Sequence, residues 1–92
     1  MKLICDELKI DYDKVVEYST YDERLGKSHW AVPGPDGKMG FGGSCFPKDI
    51  QAMITFGNSL NVDMKTLKGA WKTNLNVRPE KDWEKLEGRA VI

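Results

Sequence analysis

The sequence is short of the features that announce most functions. It holds two cysteines, Cys5 and Cys45, and a single histidine, His29. There is no Cys-x-x-Cys pair and no second histidine at ligand spacing, so no metal site is expected. A Cys5–Cys45 disulfide is allowed by arithmetic. Two isolated cysteines do not make a secreted framework, however, and a reduced, cytoplasmic chain is expected. Positive and negative side chains balance at 14 each. Lys2, Lys9 and Lys14 are separated by acidic residues, so no basic stripe for nucleic acid is present. No apolar run approaches the length of a membrane span. The opening residues do not look like a signal peptide, and repeats are absent. With 92 residues, there is room for one small domain that buries a modest share of its surface.

What is present is helical periodicity, interrupted once. Met1, Ile4, Cys5 and Leu8 stand at helical spacing from the first residue, with no capping side chain before them. Cys5 lies on an apolar face and reads as core packing. Asp11 is placed to cap a second helix with Tyr12, Val15, Val16 and Ser19 on one face. No period is sustained over residues 26–44, which hold Pro33, Pro35 and most of the chain's glycines. A connection of this length is usually functional or disordered. Trp30, Val32, Met39 and Phe41 argue against disorder, because solvated linkers carry few such residues.

Pro47 suits the first turn of a third helix, where a missing N–H costs nothing. Phe46, Ile50, Met53, Ile54 and Leu60 follow at helical spacing. Asp63 is placed to cap a fourth helix, with Met64, Leu67, Trp71 and Leu75 on one face. Pro79 opens a short fifth helix bearing Trp83 and Leu86, stopped by Gly88. Residues 89–92 read as the start of a strand with nothing to pair with. The expected fold is mainly α: a small domain of four to five helices with a long Gly/Pro-rich loop, cut from a longer chain at both ends. Residues 1–87 form the helical domain, and residues 88–92 begin another.

One stretch carries chemistry. Positions 40–49 read Gly-Phe-Gly-Gly-Ser-Cys-Phe-Pro-Lys-Asp. Glycines let backbone approach a ligand closely. Cys45 falls at or beside the N-cap of the third helix, where the positive end of the helix favours an ionised sulfur. Lys48 adds positive charge one turn in. Asp49, four residues on, is spaced to face the same pocket, where a carboxylate orients water or takes a proton. Against this stands the reading of Cys45 as a small buried hydrophobe, the usual role of cysteine in small domains. A phosphate cradle is disfavoured. The run lacks the Gly-Lys-Ser/Thr of a P-loop, and Cys45 occupies the third glycine position of Gly-x-Gly-x-x-Gly. A cysteine hydrolase needs a histidine base, for which His29 is the sole candidate. A stand-alone helical interaction module needs autonomous ends.

These ten residues closely resemble the catalytic cysteine segment of the UDP-glucose/GDP-mannose dehydrogenase family, and are most like its UDP-glucose branch. Tyr-Asp-Glu-Arg-Leu-Gly at 21–26 resembles the stretch before that family's loop. Positions 74–79 and 88–91 resemble the end of its central helix and the entry to its third domain. The resemblance implies a central dimerisation domain, acting as a homodimer, of an enzyme that oxidises a nucleotide sugar's primary alcohol to a carboxylate with NAD in two steps. It implies that Cys45 is the nucleophile, passing through a thiohemiacetal and a thioester, and that Asp49 assists the hydrolytic proton transfers. It implies Arg24, Phe41 and Gly42 at the nucleotide sugar, with Arg24 reaching a dimer partner's pocket, and Lys48 beside the nicotinamide. The family's catalytic lysine and asparagine and its Rossmann domain have no counterpart in these residues. The isolated chain is therefore expected to be silent, and to associate through Met1, Ile4, Leu8 or the Trp71 face. UDP-glucose, GDP-mannose and UDP-N-acetylmannosamine all remain open as substrate.

Overall fold

The first helical period forms α1 (Lys2–Leu8), whose N-cap, Met1, offers no side-chain bond. Lys9 ends it in the left-handed region, φ 57°, with its N–H on the Asp6 and Cys5 carbonyls. Asp11 then caps α2 (Tyr12–Ser19) as its position predicts. Its Oδ1 accepts the Asp13 and Lys14 N–H groups at 3.0 and 3.3 Å, satisfying two donors that the helix leaves orphaned. The reversal packs α1 on α2 and buries Cys5 and Tyr12. The structure, a computed structural model, describes residues 1–86. The expected stop at Gly88 and the strand at 89–92 lie outside the described residues.

α3 (Phe46–Ser59) carries Pro47 in its first turn, and that ring is fully buried. α4 (Lys65–Val77) folds back against α3, presenting Leu67, Trp71 and Leu75, each half-buried. Here two sequence expectations are corrected. Asp63 does not cap α4: the N-cap is Met64, without a side-chain bond, and the Asp63 carboxylate pairs with Lys65 Nζ at 3.1 Å. It stands one residue too early, and a neighbouring lysine takes it. Pro79 opens no α-helix. The last element is a 3₁₀ helix at Asp82–Lys85, entered through Lys81 at φ 43°, and it carries the buried Trp83.

Among the described residues the protein is thus a small helical domain of four α-helices and one 3₁₀ helix, without strands. No described helix is long and apolar enough to cross a membrane. Residues 20–45 form no helix or strand, yet they are anchored. The Tyr12 hydroxyl donates to the Trp30 carbonyl, and Trp30 Nε1 donates to the Gly26 carbonyl at 2.7 Å. Met1, Ile4 and Leu8 remain exposed, as do Phe46, Met53, Phe56 and Leu60 of α3. The Trp71 face is not free in the same way. Its ring lies between Phe41 and Trp83, at centroid distances of 6.0 and 5.3 Å, because the loop folds back over α4.

The interior holds nearly as many polar as apolar side chains. Beside Cys5, Tyr12 and Trp83 it buries Thr20, Asn74 and Arg78. Buried polar groups are tolerable only when fully bonded, and among the described residues no buried side-chain nitrogen or oxygen lacks a partner. The last two of these residues lead directly to the site.

Candidate functional site

Asn74, Arg78 and Asp82 recur every fourth residue from α4 through its C-cap into the 3₁₀ helix, and their side chains all bond to the same glycine-rich loop. The Asn74 carboxamide, 2% exposed, grips one residue at both backbone groups. Its Oδ1 accepts the Phe41 N–H at 2.7 Å, and its Nδ2 donates to the Phe41 carbonyl at 2.9 Å. Asp82 Oδ2 accepts the Gly43 N–H at 3.0 Å.

Arg78, also 2% exposed, ties these pieces together. Its Nε donates to Asp82 Oδ1 at 2.7 Å and its Nη2 to Asp36 Oδ2 at 2.6 Å. Its Nη1 reaches the Met39 and Gly40 carbonyls at 3.2 and 3.4 Å. The guanidinium bond pulls the Asp82 carboxyl down to about 2, with the Gly43 N–H adding to the effect and burial opposing it. Asp36 is also lowered, first by Arg78 and then by the Lys38 N–H. Arg78 itself is pushed above its ordinary value, chiefly by Asp82.

This clamp accounts for two of the glycines. A Cβ at Gly40, where φ is +69°, would run into the Asn74 carboxamide; at Gly42 it would run into Asp82 and Arg78. The residues are small on that side because α4 comes so close. The clamp also decides what the loop can bind. The Phe41 and Gly43 N–H groups, which in a phosphate cradle would point at an anion, are spent on a carboxamide and a carboxylate. Those two donors are therefore not available to an anion.

Beyond the clamp the chain delivers Cys45 as the N-cap of α3. The thiol is free and exposed, which removes the buried-hydrophobe reading. Its Sγ lies 3.7 Å from Ser44 Oγ, and its carbonyl accepts the Asp49 N–H at 2.9 Å. Phe41 and Phe46 close over the intervening turn at 5.0 Å between ring centroids. Asp49 is exposed in the first turn. With Phe46, Ile50, Met53 and Leu67 it lines a groove of about 310 Å³ between α3 and α4. Lys48 Nζ lies 3.7 Å from Asp49 Oδ1, so the carboxylate answers part of its charge.

The loop end and the first turn of α3 thus carry Phe41, Gly42, Cys45, Lys48 and Asp49 in one short stretch, of which Asp49 lines the groove and Cys45 does not. Arg24 is separate. Its exposed guanidinium folds onto Asp22, Nη2 to Oδ2 at 2.7 Å, and Asp22 also accepts the Arg24 backbone N–H at 2.9 Å. His29 is exposed at φ 68°. Among the described residues it forms no hydrogen bond with Cys45, so nothing supports a hydrolase pair. No described group of three or more acidic, histidine or cysteine side chains is placed to hold a metal ion. Sequence reasoning missed the clamp residues Asn74, Arg78, Asp82 and Asp36. The four-residue recurrence of the first three was a visible signal.

Fold and site define a class: a small helical domain that presents one exposed thiol at a helix mouth, on a glycine turn gripped from behind. The chain belongs to the UDP-glucose/GDP-mannose dehydrogenase family, whose central-domain profile matches residues 1–76. Among curated relatives, UDP-glucose 6-dehydrogenase YwqF of Bacillus subtilis (strain 168) is 34% identical over 73 residues, covering 79% of this chain and 16% of the relative. UDP-glucose 6-dehydrogenase TuaD of the same organism is 32% identical over 71 residues, covering 77% and 14%. UDP-glucose 6-dehydrogenase of Rickettsia typhi (strain ATCC VR-144 / Wilmington) is 34% identical over 76 residues, covering 83% and 16%. The chain therefore spans only a small part of the length of the relatives it matches. No solved structure matches it.

Proposed function

We propose that this chain is the thiol-bearing central segment of an NAD-dependent dehydrogenase that converts UDP-glucose to UDP-glucuronate in the reducing cytoplasm. The observation that carries the reading is the free, exposed Cys45 at the N-cap of α3, in a chain of this family. Cys45 sulfur adds to the carbon of the sugar's aldehyde, and the carbonyl oxygen gains a proton to give a thiohemiacetal. Loss of hydride from that carbon and of the hydroxyl proton leaves a thioester. Water then cleaves the carbon–sulfur bond, releasing the carboxylate and restoring the thiol.

Asp49, exposed one turn from Cys45, accepts the proton of that water. The ring of Phe41 and the open side of Gly42 meet the sugar. Phe41 contributes through its ring, because Asn74 occupies both its backbone groups. NAD, when bound, would supply the hydride acceptor for both oxidations. Of the described residues, Lys48 is the one assigned towards it, and its phosphates belong to residues outside this chain. Arg24 serves a partner subunit's pocket in a homodimer; its full exposure supports this, and the exposed apolar side chains of α1 and α3 support the pairing.

The test is a steady-state assay of the full-length polypeptide carrying this segment, with UDP-glucose, GDP-mannose and UDP-N-acetylmannosamine compared as substrates. The expected result is two reduced cofactors per UDP-glucose, abolished by Cys45→Ala. Asp49→Asn is expected to accumulate a covalent adduct on Cys45, visible as added mass on the intact protein. Undiminished turnover in Cys45→Ala would overturn the reading. The 92-residue chain alone is expected to reduce no NAD.

A further inference from the structure

We infer that Asn74 is the positioning residue of the thiol: by fixing the Phe41 peptide it sets where Cys45 meets the mouth of α3. The inference deepens the proposed function and rests on that reading for its use in catalysis, but its geometry stands on its own.

Cys45 has little of its own to hold it. As an N-cap it makes no side-chain bond to the helix it starts, and among the described residues the one hydrogen-bonding group beside its sulfur is Ser44 Oγ at 3.7 Å. An exposed residue so weakly held takes its position from the chain on either side. On the helix side that is Phe46 and the buried Pro47. On the loop side it is the turn from Gly40 to Ser44. That turn is gripped by Asn74 on the Phe41 N–H and carbonyl and by Asp82 on the Gly43 N–H.

The two sides meet in one contact, the Phe41 ring on the Phe46 ring. Phe41 lies four residues before Cys45, and Phe46 one after it. Fixing the Phe41 backbone therefore fixes the ring that closes the turn, and with it the sulfur between them. Asn74 is the choice over Asp82 because it engages both polar groups of one peptide residue. Its two bonds set orientation as well as distance, and a side chain buried to 2% exposure has no slack. It also dictates a glycine at position 40, since a Cβ there would meet its carboxamide.

The prediction concerns the thiol and not the fold alone. Cys45 is already exposed, so access does not limit its reaction with a small neutral reagent. Its rate instead reports the local field of the helix terminus, which acts within the first turn only. In Asn74→Leu, similar in shape but without either bond, the iodoacetamide rate of Cys45 at pH 7 should fall about two- to fivefold, and its pH profile should change. Cys5 is buried and serves as the unreacted reference by mass spectrometry.

Tyr12→Phe is the structural control. It removes a loop anchor upstream of the turn, the bond to the Trp30 carbonyl, and should leave the Cys45 profile unmoved. Asn74→Asp keeps the acceptor for the Phe41 N–H and loses the donor to its carbonyl, and should give an intermediate rate. It also decides the matter if Asn74→Leu fails to fold, as read by circular dichroism. An unchanged Cys45 profile in the folded Asn74 variants would overturn the inference, and so would an equal change in Tyr12→Phe. The readout needs no substrate. If the thiol responds to Asn74 but the full-length protein oxidises no nucleotide sugar, the proposed function fails while the positioning role stands.

Discussion

The two parts of the long loop both carry glycine and form no helix or strand, yet they are held differently. The upstream half, from Thr20 to Pro35, is held by Tyr12 at Trp30, and residues 21–29 are exposed throughout. The downstream half, from Asp36 to Ser44, receives Asn74, Arg78 and Asp82 along its length. The glycines differ one by one. A Cβ at Gly26, Gly37 or Gly43 would meet nothing within 4 Å, whereas at Gly42 it would meet the Arg78–Asp82 pair and at Gly40 the Asn74 carboxamide. Within the loop, close neighbours are confined to the two glycines that face the clamp. Glycine richness is therefore not one signal, and only the packing around each residue says which kind it is.

Substitutions at the clamp should break this contrast most strongly. Arg78→Leu leaves Asp36 and Asp82 facing each other without their shared cation. It should cost about 3 kcal/mol, read as a lower urea midpoint at unchanged slope. Gly42→Ala should cost about 2 kcal/mol by forcing Asp82 and Arg78 apart. Gly26→Ala should be neutral or slightly stabilising, within about 0.5 kcal/mol. Comparable losses in the two alanine variants would erase the distinction between the two glycines.

Acid supplies a third measurement. The Asp82 carboxyl is held at about 2 in the folded protein, against an ordinary 3.8. A lowered carboxyl contributes stability that is complete above its ordinary value and lost as pH falls through the folded one. The urea midpoint should therefore drop between pH 3.8 and about 2. That part of the slope should vanish in Arg78→Leu, while Tyr12→Phe keeps it. The smallest effect lies farthest from the clamp. Lys9 ends α1 in a left-handed conformation that glycine adopts without strain, so Lys9→Gly should raise the melting midpoint, by about 0.5 kcal/mol of stability.

How much of this was legible depends on the distance between partners. Asp11 capping α2, Pro47 opening α3 and Cys45 at the helix mouth were readable because the deciding groups lie within a turn of one another. Asp63 misled because two local partners competed for it, the α4 backbone and Lys65, and the ion pair won. Pro79 misled because a proline that suits a helix start does not create one. Trp71 read as a free apolar face, and only the returning loop shows that Phe41 and Trp83 cover it. Most of the clamp could not be read by adjacency. Asn74 lies on an amphipathic helix where polar residues ordinarily face solvent, and Arg78 is that helix's C-cap; apart from the Arg78–Asp82 pair, four residues apart, their partners are 33 to 42 residues away. Their four-residue recurrence was visible, but its target was not. The same holds for the glycine turn, whose tightness reads equally well as room for a ligand.

The 33-residue separation between Phe41 and Asn74 has a consequence for synthesis. The ribosome releases the cysteine turn well before it releases the helix that shapes it. Until α4 has left the tunnel and docked on α3, position 45 is an ordinary thiol on an unshaped tether. The nascent chain thus acquires its reactive geometry late, after most of this domain has been made, and a product cut short before Asn74 would carry the cysteine without the means to aim it.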